Sequence, residues 1–482
     1  MTDPTALPLS EQADLLREKK VSPLELTEGY LRRIAKYNGE LNAFVTLTEE
    51  DALRSAREYG EEIQRGAYRG PLHGIPIAHK DLYWTKGVRT TACSKVLEEF
   101  VPDKDATVVR RYNAAGALVL GKLNTHEFAL GTTNRDSSFG PVRNPWDLDR
   151  HPGGSSGGSA VAVLMSLCSA ATGSDSGGSI RIPAAASGIV GLKPTFGLGS
   201  RYGIVSAMWT MDHPGPMTKT VRDAALMLQP IAGYDPKDQT TVRRPPPDYE
   251  ADLMSDIKGL RIGVPLDYFY DQADPEVENT VRAALDTLAD LGASVELVKI
   301  PDVEYASAAA SIIYLAEAAA YHDDTIRVSP DLFLPATRRS VELGSYVLAK
   351  DYLHAQQYRR LLGRQVAAIL EGVDVLATPT LPITATPLSQ EVVRIRGESQ
   401  PLRVAMLRNT EPWNLTGLPA LSVPCGFSTR GLPIGLQIIG RPFQESVVLR
   451  VGHAYEQATD WHQRRPEPPA GLSSDPRAVR YQ

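Results

Sequence analysis

Cysteine is nearly missing from this chain: Cys93, Cys168 and Cys425 are the only three in 482 residues. Their wide spacing fits neither a disulfide framework nor a zinc pattern. The expectation is reduced core thiols in a cytoplasmic protein that carries no metal. Long apolar runs are missing too. The first twenty residues lack the apolar segment of a secretory signal, and no later stretch reaches the roughly 20 apolar residues of a membrane span, so no membrane partner is expected. A basic excess is also lacking, since 51 basic against 57 acidic residues leave a formal net charge of −6. Electrostatic nucleic-acid binding draws on a large positive surplus, and direct contact with nucleic acid is therefore not expected.

What is present is a globular balance, 42% hydrophobic and 22% charged, ample for a large core. The length allows two or three domains or one large α/β domain. The stretch that stands out is HPGGSSGGSAVAVLMSLCSAATGSDSGGSIRIPA at 151–184, with GGSSGG at 153–158 and DSGGS at 175–179. Glycine beside serine lets backbone approach a reacting group closely and adopt unusual φ/ψ values. Flexible linkers have similar composition, yet they do not enclose an apolar segment and end in an Arg-x-Pro-Ala turn.

Strand and helix patterns alternate along the rest. Ser22, Pro23 and Glu25 spell a capped helix start, with Leu26, Tyr30, Ile34 and Tyr37 on one face and Gly39 as its stop. A strand at 41–47 and a polar helix at 49–64 follow. The apolar strand GIPIAHKDLY at 74–83 delivers His79, Lys80 and Asp81 near its end. On these residues alone, Lys80 reads first as a side chain snorkelling to solvent. A helix at 105–115 leads into a strand at 117–124. Beyond the glycine clusters come a turn and strand at 188–197, a stretch at 209–228 ending in a helix, and a Pro-rich surface excursion at 235–250. A βαβ unit at 260–300, helices near 303–321 and 346–371, and a buried strand at 373–379 follow. A hairpin at 420–427 and 433–440 and a helix at 444–459 close the pattern, which describes an α/β sheet covered by helices.

Two familiar motifs fail on context. Gly116 and Gly121-Lys122 have phosphate-loop spacing, but Leu123 stands where Ser or Thr is needed and the ALVL between is strand-like. Ser155 and Ser156 each centre a GxSxG pattern. That elbow needs a strand running directly into it, and here the approach NPWDLDRHPGG is a Pro-rich loop.

The chain resembles the amidase signature family over nearly its whole length, from LRRIAKYNGELNAFV to NLTGLPALSVP and LPIGLQIIGRPF. The most specific match is GGSSGGSA followed by GSDSGGSIRIPA. The resemblance implies a single large domain over 1–464, with a mixed central β-sheet covered by helices on both faces. Within it lie a core at 65–228, a substrate-pocket region at 229–410 and sheet completion at 411–464, followed by a loosely packed tail at 465–482. It implies a Ser-Ser-Lys triad with Ser179 as nucleophile, Ser155 as bridging serine behind a cis Gly154–Ser155 peptide, and Lys80 as base, without metal or cofactor. Ser155 stands 75 residues after Lys80 and 24 before Ser179, which agrees with that family. The backbone N–H groups of Ser176, Gly177, Gly178 and Ser179 are the expected oxyanion hole.

Chemistry adds conditions of its own. A serine hydroxyl is a weak nucleophile until a base takes its proton, and lysine is a base only when burial keeps it neutral. Asp81 is therefore expected to point away from Lys80. Asp175 and Arg181 are expected to pair and hold the loop, Ser156 to support it, and Cys168 to fill helix core. His79 and His213 fall near the site as structural groups. Thr132 and Thr133, resembling a family loop that faces the site, and Met208 and Trp209, after the glycine turn, are the candidate substrate contacts.

The expected function is hydrolysis of a small-molecule amide through an acyl-enzyme on Ser179, giving a carboxylate and ammonia or an amine, with a homodimer left open. The alternative is the glutaminase subunit of a tRNA-dependent (Glu/Asp) amidotransferase, which hands its ammonia to a partner. Such subunits carry an acid shortly before a Pro-x-Asn-Leu segment. Aligned on Pro412-Trp413-Asn414-Leu415, Leu407 occupies that place, which favours a neutral or aromatic amide. Arg359 matches an arginine those subunits use for the substrate carboxylate. An inactive scaffold is disfavoured because all three triad positions are filled.

Overall fold

The computed structural model describes residues 3–467. The chain opens with α1 (Leu9–Arg17) and α2 (Pro23–Leu41). The capping box closes as the sequence dictates: Ser22 N donates to Glu25 Oε2 at 2.8 Å and Glu25 N to Ser22 Oγ at 3.1 Å. Gly39 does not stop the helix. It continues to Leu41 and ends at Asn42, left-handed at φ 55°, because burying Leu41 outweighs the roughly 1 kcal/mol that an interior glycine costs. Next come β1 (Phe44–Leu47), α3 (Glu49–Gln64), β2 (Pro76–Lys80), α4 (Thr107–Ala114) and β3 (Leu118–Leu123).

The apolar run between the glycine clusters divides into α5 (Gly157–Leu164) and β4 (Ala170–Asp175), every residue of both buried. Cys168 is buried as expected but sits in the turn between them, not in a helix. Then follow α6 (Arg181–Ser187), β5 (Val190–Lys193), β6 (His213–Thr218) and α7 (Val221–Ile231). β6 was hidden by Pro214 and Pro216, which argue against an interior strand. The structure accommodates them because β5 pairs only with Met217 and Thr218 of β6, leaving the proline positions without a ladder on that side.

The βαβ unit is β7 (Arg261–Pro265), α8 (Pro275–Asp290) and β8 (Ser294–Val298). Three helices follow, α9 (Ala306–Val328), α10 (Pro335–Gly344) and α11 (Ala349–Gly372), and lead into β9 (Val375–Pro379). A separate ribbon, β10 (Val392–Ile395) and β11 (Glu398–Pro401), precedes α12 (Leu402–Arg408) and α13 (Glu411–Leu415). The hairpin β12 (Ala420–Phe427) and β13 (Pro433–Gly440) and then α14 (Glu445–Gln457) complete the chain.

Eleven strands form one sheet in the order β1-β3-β2-β4-β6-β5-β12-β13-β9-β7-β8. It is mixed: β2 runs parallel to β3 and β4, and β7 to β8 and β9, while β12 is antiparallel to β5 and β13. Helices cover both faces. A Cβ on Gly452 of α14 would stand 2.4 Å from Leu421 of β12, and one on Gly435 of β13 would stand 2.7 Å from Ala185 of α6. This is the α/β architecture the sequence led us to expect. Among the described residues no helix is long and apolar enough to cross a membrane. From 468 onward the expected tail lies outside the described residues.

Candidate active site

The site forms where β2 and β4, adjacent and parallel, end at Lys80 and Asp175. Lys80 is fully buried. Its backbone N donates to Thr172 Oγ1 at 3.0 Å, and its Nζ donates to three serine hydroxyls: Ser155 at 2.7 Å, Ser156 at 2.8 Å and Ser174 at 2.9 Å. Among the described residues no carboxylate reaches salt-bridge distance of this ammonium. Burial pushes it down to about 7, against weaker upward pulls from Asp175, Asp212 and Cys93. A lysine lowered in this way gives up its proton far more readily than a solvated one and can then accept another.

Asp81 points away from Lys80, as the chemistry requires. Its Oδ2 accepts from Thr91 Oγ1 at 2.5 Å and Thr91 N at 3.0 Å, and its Oδ1 lies 3.9 Å from Lys122 Nζ. Lys122, the lysine of the rejected phosphate-loop pattern, is fully buried in β3 and donates to Tyr83 O, Thr90 Oγ1 and Thr85 Oγ1. It serves as an internal counter-charge.

The first glycine cluster contains a cis Gly154–Ser155 peptide. Ser155 O accepts from His126 N at 3.1 Å and Thr125 Oγ1 at 2.9 Å. Gly154 is packed so closely that a Cβ there would stand 2.7 Å from Asn134 N and 2.8 Å from Thr133 N. Thr132 and Thr133 are thus seated against the serine-bearing turn, both buried. Ser156 N donates to Ser179 O at 3.2 Å and ties the two clusters together.

In the second cluster, Ser176 Oγ donates to Asp212 Oδ1 at 2.5 Å and Thr410 Oγ1 donates to Gly177 O at 2.6 Å. Gly178, at φ 140°, leaves no room for a side chain: a Cβ would lie 2.3 Å from Thr410 Oγ1. Among the described residues the N–H groups of Ser176, Gly177, Gly178 and Ser179 donate to no protein acceptor, and Ser179 Oγ makes no hydrogen bond. Nor is there a direct Ser155–Ser179 hydroxyl contact of that kind.

Asp175 and Arg181 pair in two bonds, Nε to Oδ2 at 3.0 Å and Nη2 to Oδ1 at 2.9 Å. Burial alone would raise the Asp175 carboxyl, but the Arg181 guanidinium overrides it and holds it well below the usual carboxylate range. Arg181 also reaches Gln437 Oε1 at 2.7 Å, Thr410 O at 3.0 Å and Asn414 Oδ1 at 2.6 Å. His79 is pushed down to about 3 by burial between Tyr83 and Tyr112. His213 is likewise lowered by burial, with its Nδ1 against Met211 O and Asp175 O. Neither ring hydrogen-bonds to Lys80, Ser155 or Ser179.

The other expected contacts separate. Trp209 is 66% exposed and, with Trp84, Ile204 and Tyr321, lines a cavity of about 420 Å³ that reaches Ser174 and Asp212. Met208 is buried in the core, and its N–H donates to Asp212 Oδ1 at 3.0 Å. Leu407 does face the loop, its Cδ2 3.1 Å from where a Cβ on Gly177 would stand. Arg359 donates to Leu415 O at 2.7 Å and Thr210 O at 2.8 Å, fastening α13 to the 207–212 loop.

Three groups escaped the sequence reading. Ser174 was findable, because Thr172 and Ser174 alternate on one face of β4 and both meet Lys80. Asp212, which collects Ser176, Ser206 and the N–H groups of Ala207 and Met208, had no local signal. Glu411, beside Gly177, was not singled out, since its nearness to that glycine joins segments far apart in the chain.

A family model, Amidase, matches residues 25–449. The chain belongs to the amidase family. A glutamyl-tRNA(Gln) amidotransferase subunit of Roseiflexus sp. (strain RS-1) is 45% identical, over 96% of this amidase and 98% of that protein. The structure of the corresponding glutamyl-tRNA(Gln) amidotransferase subunit from Thermotoga maritima is 37% identical, with TM-score 0.81 over 98% of this chain and 99% of that one. A crystal structure of an amidase is 36% identical, with TM-score 0.86 over 94% of this chain and 99% of that one.

Proposed function

We propose that this amidase hydrolyses a small carboxylic amide through an acyl-enzyme on Ser179. The observation that carries the reading is Lys80, fully buried, bonded to Ser155 and out of salt-bridge reach of any carboxylate among the described residues, with burial pushing it down to about 7. Neutral Lys80 takes the Ser155 proton as Ser155 takes that of Ser179, and Ser179 Oγ attacks the amide carbonyl. The negative oxygen of the tetrahedral intermediate meets the N–H groups of Ser176 to Ser179, each such donor being worth ~3 kcal/mol in the transition state. The proton returns through Ser155 to the departing nitrogen, and water then cleaves the ester to the carboxylate. Thr132 and Thr133, against the Ser155 turn, are proposed to bound the substrate on one side. Trp209 and the cavity beneath it lie on the other.

The fate of the nitrogen follows from a second observation. Identity of 45% with an amidotransferase subunit across nearly both full chains favours the glutaminase reading, in which ammonia passes to a partner subunit, over release by a free-standing amidase. Ser179→Ala tests the chemistry: amide turnover falls to background while the thermal midpoint holds, and surviving activity moves the nucleophile to Ser155 or Ser156. Glutamine compared with simple aryl amides, read by ammonia and amine release, tests the fate. Rates on glutamine far below those on aryl amides exclude the glutaminase.

A further inference from the structure

One carboxyl beside the oxyanion loop has no role in the chemistry above. Glu411 begins α13 and is only 5% exposed. Its Cγ and Oε1 lie 3.6 and 3.9 Å from the point a Cβ on Gly177 would occupy, the point that Leu407 Cδ2 approaches to 3.1 Å. The side of Gly177 on which a Cβ would stand is therefore bounded by a leucine methyl and a carboxyl together. Other buried carboxyls around the site have partners: Asp175 in Arg181 and Asn414, Asp212 in four donors, Glu445 in Thr195, Glu317 in Thr210 and Tyr352, and the one unbonded oxygen of Asp81 lies 3.9 Å from the Lys122 ammonium. Glu411 Oε2 is buried with no hydrogen-bond partner among the described residues. A native fold rarely leaves so strong an acceptor idle unless a ligand completes it.

We propose that Glu411 binds an amino group of the substrate, so that the amide cleaved at Ser179 carries a basic nitrogen. The inference rests on the reading of Ser179 as nucleophile. It replaces the neutral or aromatic amide that Leu407 suggested, because the acid missing at 407 stands four residues later and faces the same glycine. Burial pushes Glu411 up to about 7, with Arg403 of α12 and Ser307 of α9 pulling it down. The other titratable group facing it is the Tyr268 hydroxyl. Arg403 lies over the Tyr314 ring at 4.4 Å. An arriving ammonium ionises Glu411 and forms a charge-assisted pair. Preference for an amine-bearing amide is thus present above about 7 and fades as pH falls through it.

The test uses matched amides that differ by the amino group alone: alaninamide against propionamide, and glutamine against 4-carbamoylbutanoate. The wild type is expected to favour the amino member of at least one pair in kcat/KM by about 10- to 150-fold, the worth of a hydrogen bond to a charged group. Glu411→Gln, which keeps the shape, brings that ratio close to one. A wild-type ratio near one in both pairs, or a ratio that Glu411→Gln leaves unchanged, overturns the inference while Ser179 stands. The wild-type ratio and its pH dependence decide the matter even where Glu411→Gln fails to fold. Turnover of neither pair, or turnover that survives Ser179→Ala, overturns the reading of the site and the inference with it.

Discussion

Lys80 meets opposing demands. Its burial against serine hydroxyls removes the solvation an ammonium needs, and one of those hydroxyls, that of Ser155, is the group whose proton it takes in the proposed mechanism. Because the neutral form is the base, kcat/KM on an amide without an amino group rises as pH climbs through about 7 and levels off above. Choosing such a substrate keeps the titration of Glu411 out of the profile. A rate flat from pH 5 to 9 would remove Lys80 as the base, as would a mild effect of Lys80→Ala. The residues of this cluster were readable from the sequence to different depths. Ser155, Ser179 and Lys80 came from a motif, and the outward turn of Asp81 from the need to keep lysine neutral. Ser174 required strand alternation, and Asp212 and Glu411 required contacts between segments far apart in the chain.

Elements whose signal is local were legible, and those whose reason is tertiary were not. The capping box at Ser22 and the βαβ unit over β7 to β8 are local and fell where expected. Gly39 was overruled by burial of Leu41, and β6 with its two prolines exists because β4 pairs along its length. α12 and α13 are short, and their role is set by what they touch. Thr410, between them, donates its hydroxyl to Gly177 O and accepts Arg181 Nη1 on its carbonyl, so this junction braces the 176–179 loop, the proposed oxyanion hole, from outside. Thr410→Val keeps the shape and removes the bond to Gly177 O. The loss expected is about 1 kcal/mol of stability, with a fall in kcat exceeding any rise in KM because the loop carrying the N–H donors is freed. Chemical denaturation and steady-state kinetics together check this, and a pure KM effect would place Thr410 against the substrate instead.

At the scale of the molecule, the site lies between two halves of one sheet. β2 supplies Lys80 and β4 leads into the loop carrying Ser179, whereas α13, β9 and β13, from far along the chain, supply the groups that lock Arg181 and the loop. Gln437 of β13 joins them: its Oε1 accepts from Arg181 Nη1 at 2.7 Å, and its Nε2 donates to Thr378 Oγ1 and Asn409 O, both at 2.9 Å. Fully buried, it lies behind Asp175 and Arg181, so its replacement acts on geometry alone. Gln437→Leu leaves a guanidinium N–H and the Asn409 carbonyl without partners, a cost of about 3 kcal/mol, and lowers the thermal midpoint accordingly. Since reacting groups displaced by about 1 Å can lose 100-fold in rate, kcat is expected to fall about 10- to 100-fold with the pH midpoint of the Lys80 limb unmoved. A destabilised variant that keeps full kcat would mean that Asp175 and Arg181 hold the loop without help from the far side of the sheet.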